Sequence, residues 1–382
     1  MFEFSTCQSL VCGAGVSANL PEIAGKLGIK KMLVVTDPGL IKAGLVERVT
    51  APLADGSVQH NLFSAVVPDP PESLVLEVAQ IAKNEKIDGV LGLGGGSSMD
   101  VAKLVSVLCD ASQPLSEMYG IDQIKEERLP LIQIPTTAGT GSEVTPISII
   151  TTGETTKTGV VSPKLLPDFA ILDPELTVGL PSHVTAATGV DAMVHAIEAY
   201  TSKLRKNPYS DMLAVQALKL LYENLELAVR DGGHIIAREK MLLGAMLAGQ
   251  AFANAPVAAI HALAYPLGGH YHIPHGLSNS LVLPPVMRFN LAGAKKHYSE
   301  LAAELGLCSR ESDPLENSNF FLEALIKLID AVGLPTKLRD CGVNDKDLPM
   351  LAKDAMLQTR LLVNNPVEVL EEDALKIYNS IF

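Results

Sequence analysis

Through about its first 175 residues the chain alternates short runs rich in β-branched side chains with stretches of helical period. Beyond Pro174 and Pro181 the strand-like runs stop, and apolar residues recur every three or four positions. Alternation of the first kind builds a parallel sheet covered by helices on both faces, whereas continuous helical period builds helix against helix. The pattern therefore divides the chain into an α/β domain with a parallel, Rossmann-like sheet over residues 1–177 and an all-α domain over 178–382. Strands are expected at Lys31–Asp37, Gly89–Gly94, Leu129–Ile134 and Phe169–Leu172, helices at Leu40–Leu53, Pro71–Asn84 and Ser97–Cys109, and a hairpin around Gly153 and Glu154. In the second half Ala192–Tyr200, Met212–Leu227 and Glu239–Phe252 read as helix.

One stretch tests that division. From Met241 to Met287 there is no Asp, Glu, Lys or Arg, and so long an uncharged run invites a membrane-spanning reading. Gly244, Gly249, Gln250, Asn254, Pro256, His261 and Pro266 interrupt it before about 20 consecutive apolar residues accumulate. A buried helix or two is the better reading, with no membrane partner. Subtracting 43 acidic from 30 basic side chains leaves a net charge of −13, which repels phosphate backbones and anionic lipid. With aromatics at 4% and no Trp there is also little to stack on bases, so nucleic acid is not an expected partner and a small molecule is. Cys7, Cys12, Cys109, Cys308 and Cys341 are odd in number and form no CxxC pair, which fits a reducing compartment and offers no sulfur-based metal site. The opening MFEFSTCQSL lacks the basic start and apolar block of a signal peptide, so a cytoplasmic location is expected.

Three loops carry chemistry. Gly94-Gly95-Gly96-Ser97 follows a strand and opens a helix; consecutive glycines let backbone amides and a helix N-terminus face a phosphate, with Ser97 as helix N-cap or phosphate donor. Gly13-Ala14-Gly15-Val16-Ser17-Ala18 is a formal GxGxxA match with Asp37 at a strand end further on, yet little strand precedes it beyond Leu10-Val11-Cys12, and alone the motif is weak. Asp37 itself has two readings, a carboxylate that accepts from ribose hydroxyls or the N-cap of the helix starting at Pro38. Pro135 to Thr145 sets four threonines, a serine and two glycines after a strand, donors at a sheet's carboxyl edge where α/β folds bind ligands.

The strongest constellation is Asp191, His195, His261 and His275. The first two stand four apart on an expected helix and share a face, as a chelating pair must. A carboxylate with two or three imidazoles suits iron or zinc. His270 and His272 lie close by, and spacing alone leaves the choice among these histidines open.

Taken together, Val34-Val-Thr-Asp37, Gly94 to Ser97 with Asp100 and Lys103, Pro135 to Thr145, Asp173-Pro174, Ala187 to Glu198 and His261 to His275 resemble the iron-containing (group III) alcohol dehydrogenase family, within the dehydroquinate synthase-like fold. The likeness covers nearly the whole chain. It implies an N-terminal nucleotide-binding domain, an all-helical C-terminal domain, and NAD with a divalent metal in the cleft between them. By position, Asp191, His195, His261 and His275 become the metal ligands, with Fe²⁺ first and Zn²⁺ as the alternative. Gly95, Gly96 and Ser97 become the pyrophosphate holders, beside Asp100. Thr136, Thr137, Thr140 and Thr145 line the cofactor site, Lys157 and Leu176 touch its ribose and nicotinamide half, and Asp37 accepts from the adenosine ribose. Gly13 and Gly15 then form a turn beside the site. Two positions depart from the family's habit. Pro68-Asp69-Pro70 stands where Pro-Asn-Pro is common, which puts the adenine-side contact of Asp69 in question. Tyr265 stands where many members carry a histidine four residues after the third ligand, so Tyr265 either packs or relays a proton.

The resemblance implies a metal-dependent, NAD-linked alcohol dehydrogenase or aldehyde reductase, expected as a homodimer. Within the fold, the alternatives are a maleylacetate-type oxo-acid reductase, a glycerol-type polyol dehydrogenase and, more distantly, a non-redox lyase of the dehydroquinate synthase kind. Anionic substrates call for cationic residues, and residues 241–287 hold none. An uncharged alcohol or aldehyde is therefore the expected substrate.

Overall fold

A computed structural model of the chain describes residues 2–56, 58–153 and 156–382. They form two compact units: Ser5–Val178, and Gly179–Phe382 together with the N-terminal tip through Phe4. The tip joins the helical unit through aromatic contact, the rings of Phe2 and Phe4 lying 5.8 and 5.6 Å from that of Tyr209.

In the first unit the strands β1 (Ser9–Cys12), β2 (Lys31–Val35), β3 (Gln59–Phe63), β4 (Gly89–Gly94), β6 (Leu131–Pro135) and β9 (Phe169–Leu172) form one sheet in the order β1-β9-β6-β4-β2-β3. Every pairing in it is parallel. Alternate residues of the strands feed two separate cores, with Leu33, Val35 and Val90 on one face and Met32, Val34, Leu91 and Leu93 on the other. Both faces are therefore covered, and the strands read as unbroken apolar runs for that reason. A small second sheet joins β5 (Gly120–Ile121), β8 (Thr156–Val161) and β7 (Ile147–Thr152), with β7 and β8 antiparallel. These are the flanks of the expected hairpin, whose Glu154 lies outside the described residues. The helices of this unit are α1 (Leu20–Lys26), α2 (Pro38–Lys42), α3 (Leu45–Thr50), α4 (Glu72–Asn84) and α5 (Gly96–Leu108).

The single helix expected over Leu40–Leu53 is a correction. Gly44 takes φ +71 and breaks the segment into α2, α3 and a 3-10 turn from Ala51 to Gly56, because a left-handed residue ends a helix. The edge strand β3 has no expectation behind it. Its QHNLF sequence is half polar, as an edge exposed to water permits.

The sheet order reverses between β2 and β4: β3 lies beyond β2 on one side, and β4, β6 and β9 continue on the other. Open α/β sheets bind ligands at the carboxyl ends of strands flanking such a switch point. Asp37 follows β2 there, and Gly94 to Ser97 follow β4.

The second unit is helical: α6 (Ser182–Thr201), α7 (Pro208–Arg230), α8 (Ile235–Asn254), α9 (Ala259–Tyr271), α10 (His275–Glu304), α11 (Pro314–Ala331), α12 (Leu348–Ala355), α13 (Thr359–Leu362) and α14 (Glu371–Ser380). The charge-free stretch becomes three helical pieces rather than one or two: the second half of α8, all of α9 and the start of α10. Their uncharged faces are buried at Ala245, Ala248, Ala262, Leu263 and Leu283. Among the described residues no single helix is long and apolar enough to cross a membrane, and α8 and α9 meet at a bend of 106°.

Candidate functional site

In the helical unit, α6 carries Asp191 and His195 on one face, α9 carries His261 near its N-terminus, and α10 begins at His275. Gly276 sets the last of these in place. A Cβ there would stand 2.3 Å from the Ala187 carbonyl oxygen, so only glycine lets α10 approach α6 this closely. The Nε2 atoms of His195, His261 and His275 lie 4.0, 3.9 and 3.6 Å from Asp191 Oδ1. Taking one ligand atom from each residue, all four lie within 4.8 Å of one another. Three members are buried, while the His275 side chain is 41% exposed, which leaves the cluster one open side. Burial alone would raise the Asp191 carboxyl. The charges of His195, His275 and His261, with the Asn279 amide, outweigh it and hold the group below the ordinary carboxylate range. One hard carboxylate and three imidazoles converging in this way are a donor set for a divalent cation such as iron or zinc. The residues present fit such an ion.

The other two histidines stand apart. His270 Nε2 bonds Asp354 Oδ2 at 2.7 Å, and His272 closes α9 in the left-handed conformation at φ +54. Tyr265 lies at the exposed side, its ring 5.9 Å from that of His275. Three neighbours escape the spacing argument: Phe252, stacked on His195 at 4.3 Å; Glu198, whose carboxylate meets His261 Nδ1 at 2.6 Å; and Asn279, which donates to Asp191 Oδ1 at 2.6 Å. The last two were findable, since Glu198 is seven residues after Asp191 and Asn279 four after His275, the spacings that keep a helix face.

In the α/β unit Gly94 takes φ +151, a torsion that side chains resist, and turns the chain from β4 into α5. The N-cap is Gly95 and not Ser97, and no side chain caps the helix, so its first amides are left without an intrahelical partner. Gly95 lies against Thr137 and Gly96 against Thr140, which brings two of the expected loops together. Thr136 joins them through its amide, donated to the Gly94 carbonyl at 3.0 Å.

Asp37 takes the second of its two readings, as the cap of α2. Oδ1 accepts from the Gly39 and Leu40 amides at 2.8 and 3.2 Å as the cap of α2, while Oδ2 sits toward Gly94. The GxGxxA turn is otherwise occupied: the Gly15 and Ser17 amides, and the Ser17 hydroxyl at 2.6 Å, donate to the Asp173 carboxylate. Amides already held by a carboxylate are not free for a phosphate, which accounts for the misleading motif.

Asp100 and Thr145 sit in a buried network. Asp100 accepts from the Ser142 hydroxyl at 2.6 Å and the Ile149 amide at 2.8 Å. Lys103, fully buried, donates to Ser142, Thr145 and the Ile147 carbonyl at 2.7, 3.1 and 2.6 Å. Burial lowers the Lys103 ammonium to about 8 against the pull of Asp100 and Glu143, and burial pushes the neighbouring Glu143 up to about 7. Lys157 Nζ pairs with Asp69 Oδ1 at 2.5 Å and meets Thr151 Oγ1 at 3.1 Å. Asp69 takes φ +53, and asparagine and aspartate both tolerate that region, so the exchange preserves the turn. Leu176 lies in the apolar core beneath the sheet.

Family comparison agrees with this geometry. Residues 7–174 match the family described as "Iron-containing alcohol dehydrogenase", and residues 185–382 match "Fe-containing alcohol dehydrogenase family, C-terminal". The chain is 43% identical over 366 residues to long-chain-alcohol dehydrogenase 1 of Geobacillus thermodenitrificans (strain NG80-2), covering 95% of this chain and 92% of that protein. The crystal structure of 1,3-propanediol oxidoreductase superposes with a TM-score of 0.97 at 35% identity over all of both chains. That of sulfoacetaldehyde reductase from Bifidobacterium kashiwanohense in complex with NAD⁺ superposes with a TM-score of 0.90 at 29% identity, covering 100% of this chain and 98% of the other. With both halves matched in order and the four-residue cluster in place, the chain belongs to the iron-containing alcohol dehydrogenase family.

Proposed function

We propose that this NAD-dependent alcohol oxidoreductase interconverts a small uncharged alcohol and its aldehyde, with a divalent metal held by Asp191, His195, His261 and His275. Fe²⁺ is the first choice of ion and Zn²⁺ the alternative. The observation that carries the reading is the convergence of those four donors, all within 4.8 Å of one another and open on the His275 side. When bound, a divalent ion supplies Lewis acidity that lowers the hydroxyl pKa of an alcohol and polarises an aldehyde carbonyl.

The remaining work falls to the chain. Residues 1–177 form the dinucleotide-binding domain and 178–382 the metal and substrate domain. Gly95, Gly96 and Ser97 offer backbone and hydroxyl donors to the pyrophosphate at the start of α5. Asp37 presents Oδ2 to the adenosine ribose; Thr136, Thr137 and Thr140 line the same edge; Asp100 and Lys103 hold Thr145 and the loop behind it. Lys157, braced by Asp69, lies toward the ribose half, with Leu176 as apolar backing. Tyr265 packs beside His275. The charge-free run from Met241 to Met287 surrounds His261 and His275 and favours an uncharged substrate, since an anion there would lack a protein countercharge. The protein is proposed to act as a homodimer, the commonest closed assembly, in a reducing cytoplasm that suits its five free cysteines.

The test is a screen of primary alcohols, diols, aldehydes and oxo-acids with NAD or NADH after anaerobic reconstitution with Fe²⁺, Zn²⁺, Mn²⁺ or Co²⁺, followed in the nicotinamide absorbance band. Net conversion of the cofactor with alcohols or aldehydes supports the reading. Turnover confined to oxo-acids refutes the substrate assignment.

A further inference from the structure

We infer that Glu198 is a positioning residue of the metal centre, one that fixes the tautomer of His261 so that Nε2 presents a lone pair toward Asp191. The inference rests on the ligand reading above and goes beyond it by assigning a role to a residue outside the ligand set.

Glu198 is buried on α6, on the helix face that carries Asp191 and His195. Its two oxygens have separate tasks. Oε1 accepts the Ile260 amide at 2.7 Å, and Oε2 lies 2.6 Å from His261 Nδ1. An ionised carboxylate can only accept, so Nδ1 must carry the ring proton and Nε2 is left with its lone pair exposed. The far side of the ring agrees. The Asn279 amide nitrogen, which can only donate, lies 2.6 Å from Asp191 Oδ1 and 3.2 Å from the Nε2 atoms of both His261 and His275, an arrangement that accommodates an unprotonated Nε2 on His261. Glu198, His261, Asn279 and Asp191 are thus linked by hydrogen bonds in which His261 donates to Glu198 and the Asn279 amide donates to Asp191.

A plain helix-capping role accounts for less. The Ile260 contact alone would cap α9, but it would leave the second oxygen without a task. Among the described residues His261 is the only ion-pair partner of Glu198. A buried carboxylate whose partner is a neutral imidazole is costly, and a cation across the ring is the compensation that this arrangement anticipates.

The test is Glu198→Gln in the full chain, with Zn²⁺ as the probe. Gln can still accept from Ile260, so the metal-free variant is expected to keep its fold by circular dichroism. Its Zn²⁺ dissociation constant, from competition with a chromogenic chelator, is expected to rise about 10–100-fold. The ¹⁵N resonances of the His261 ring should lose the pattern of an Nδ1-protonated imidazole. Glu198→Asp, which keeps the charge on a shorter arm, should fall between the two proteins. If Glu198→Gln binds Zn²⁺ as tightly as the parent and the His261 resonances are unchanged, Glu198 only caps α9 and the inference is overturned with the ligand set intact. If instead His275→Ala binds Zn²⁺ like the parent, the ligand reading fails, while the His261 resonances still report whether Glu198 sets the tautomer.

Discussion

At Asp37 one carboxylate oxygen is engaged with the Gly39 and Leu40 amides and the other faces Gly94, so on the proposed reading the residue would both shape α2 and discriminate between cofactors. A 2′-phosphate there would meet a fixed negative charge, and such like-charge contact costs several kcal/mol. The enzyme is expected to prefer NAD over NADP, and Asp37→Gly to narrow the ratio of specificity constants while leaving stability within about 2 kcal/mol through loss of the cap. Equal specificity constants in the unaltered protein would refute the assignment. Tyr265 poses the opposite question. If it packs beside His275, Tyr265→Phe changes kcat little; a loss of about 10² or more with full metal content would instead mark the hydroxyl as a proton relay.

The element scale decides whether single residues meet. Gly276 sits where α10 crosses α6, with the Ala187 carbonyl in the space a side chain would take. Gly276→Val must push α10 away, an overpacking that costs about 1–3 kcal/mol and moves His275 off Asp191. The expected result is a lower melting temperature together with weaker Zn²⁺ binding, and a variant that melts lower but binds normally would separate the two effects and refute the link. In the other unit α5 holds the Thr140 to Thr145 loop through Asp100 and Lys103, with Glu143 buried beside them. Burial raises Glu143 to about 7 from its ordinary 4.5. The folded state then binds the proton more tightly than the unfolded one, so the stability it contributes is full below pH 4.5 and is lost as pH rises toward 7. Glu143→Gln should flatten that decline in melting temperature between pH 4.5 and 7; an unchanged profile would mean the group titrates normally.

For the whole molecule the proposed metal centre joins α6 to the consecutive helices α9 and α10, which lie beyond α7 and α8 along the chain. An ion bound only by the folded state adds RT ln(1 + [L]/Kd), roughly 2.7 kcal/mol at a hundredfold excess over Kd. Chelation should lower the melting temperature of the loaded protein, and His275→Ala should abolish both that difference and dehydrogenase activity. His270→Ala and His272→Ala should preserve both, because one is paired with Asp354 and the other ends α9.

Sequence alone determined the class of each half, since the contrast of short apolar, β-branched runs with period 3.6 is local information: Gly89–Gly94 and Phe169–Leu172 occupy the same residues in the structure as in the sequence reading. It also placed Asp191 and His195 on one face, because four residues make about one helical turn. Other features were decided by distance in space. A formal GxGxxA turn was taken by Asp173 from far along the chain, the expected helix at Leu40 broke at a left-handed Gly44, and His261 and His275, not His270 or His272, came to face Asp191. Local patterning cannot see such outcomes. They depend on which carboxylate reaches which amide and how closely two helices can pack, and those quantities exist only once the chain has folded.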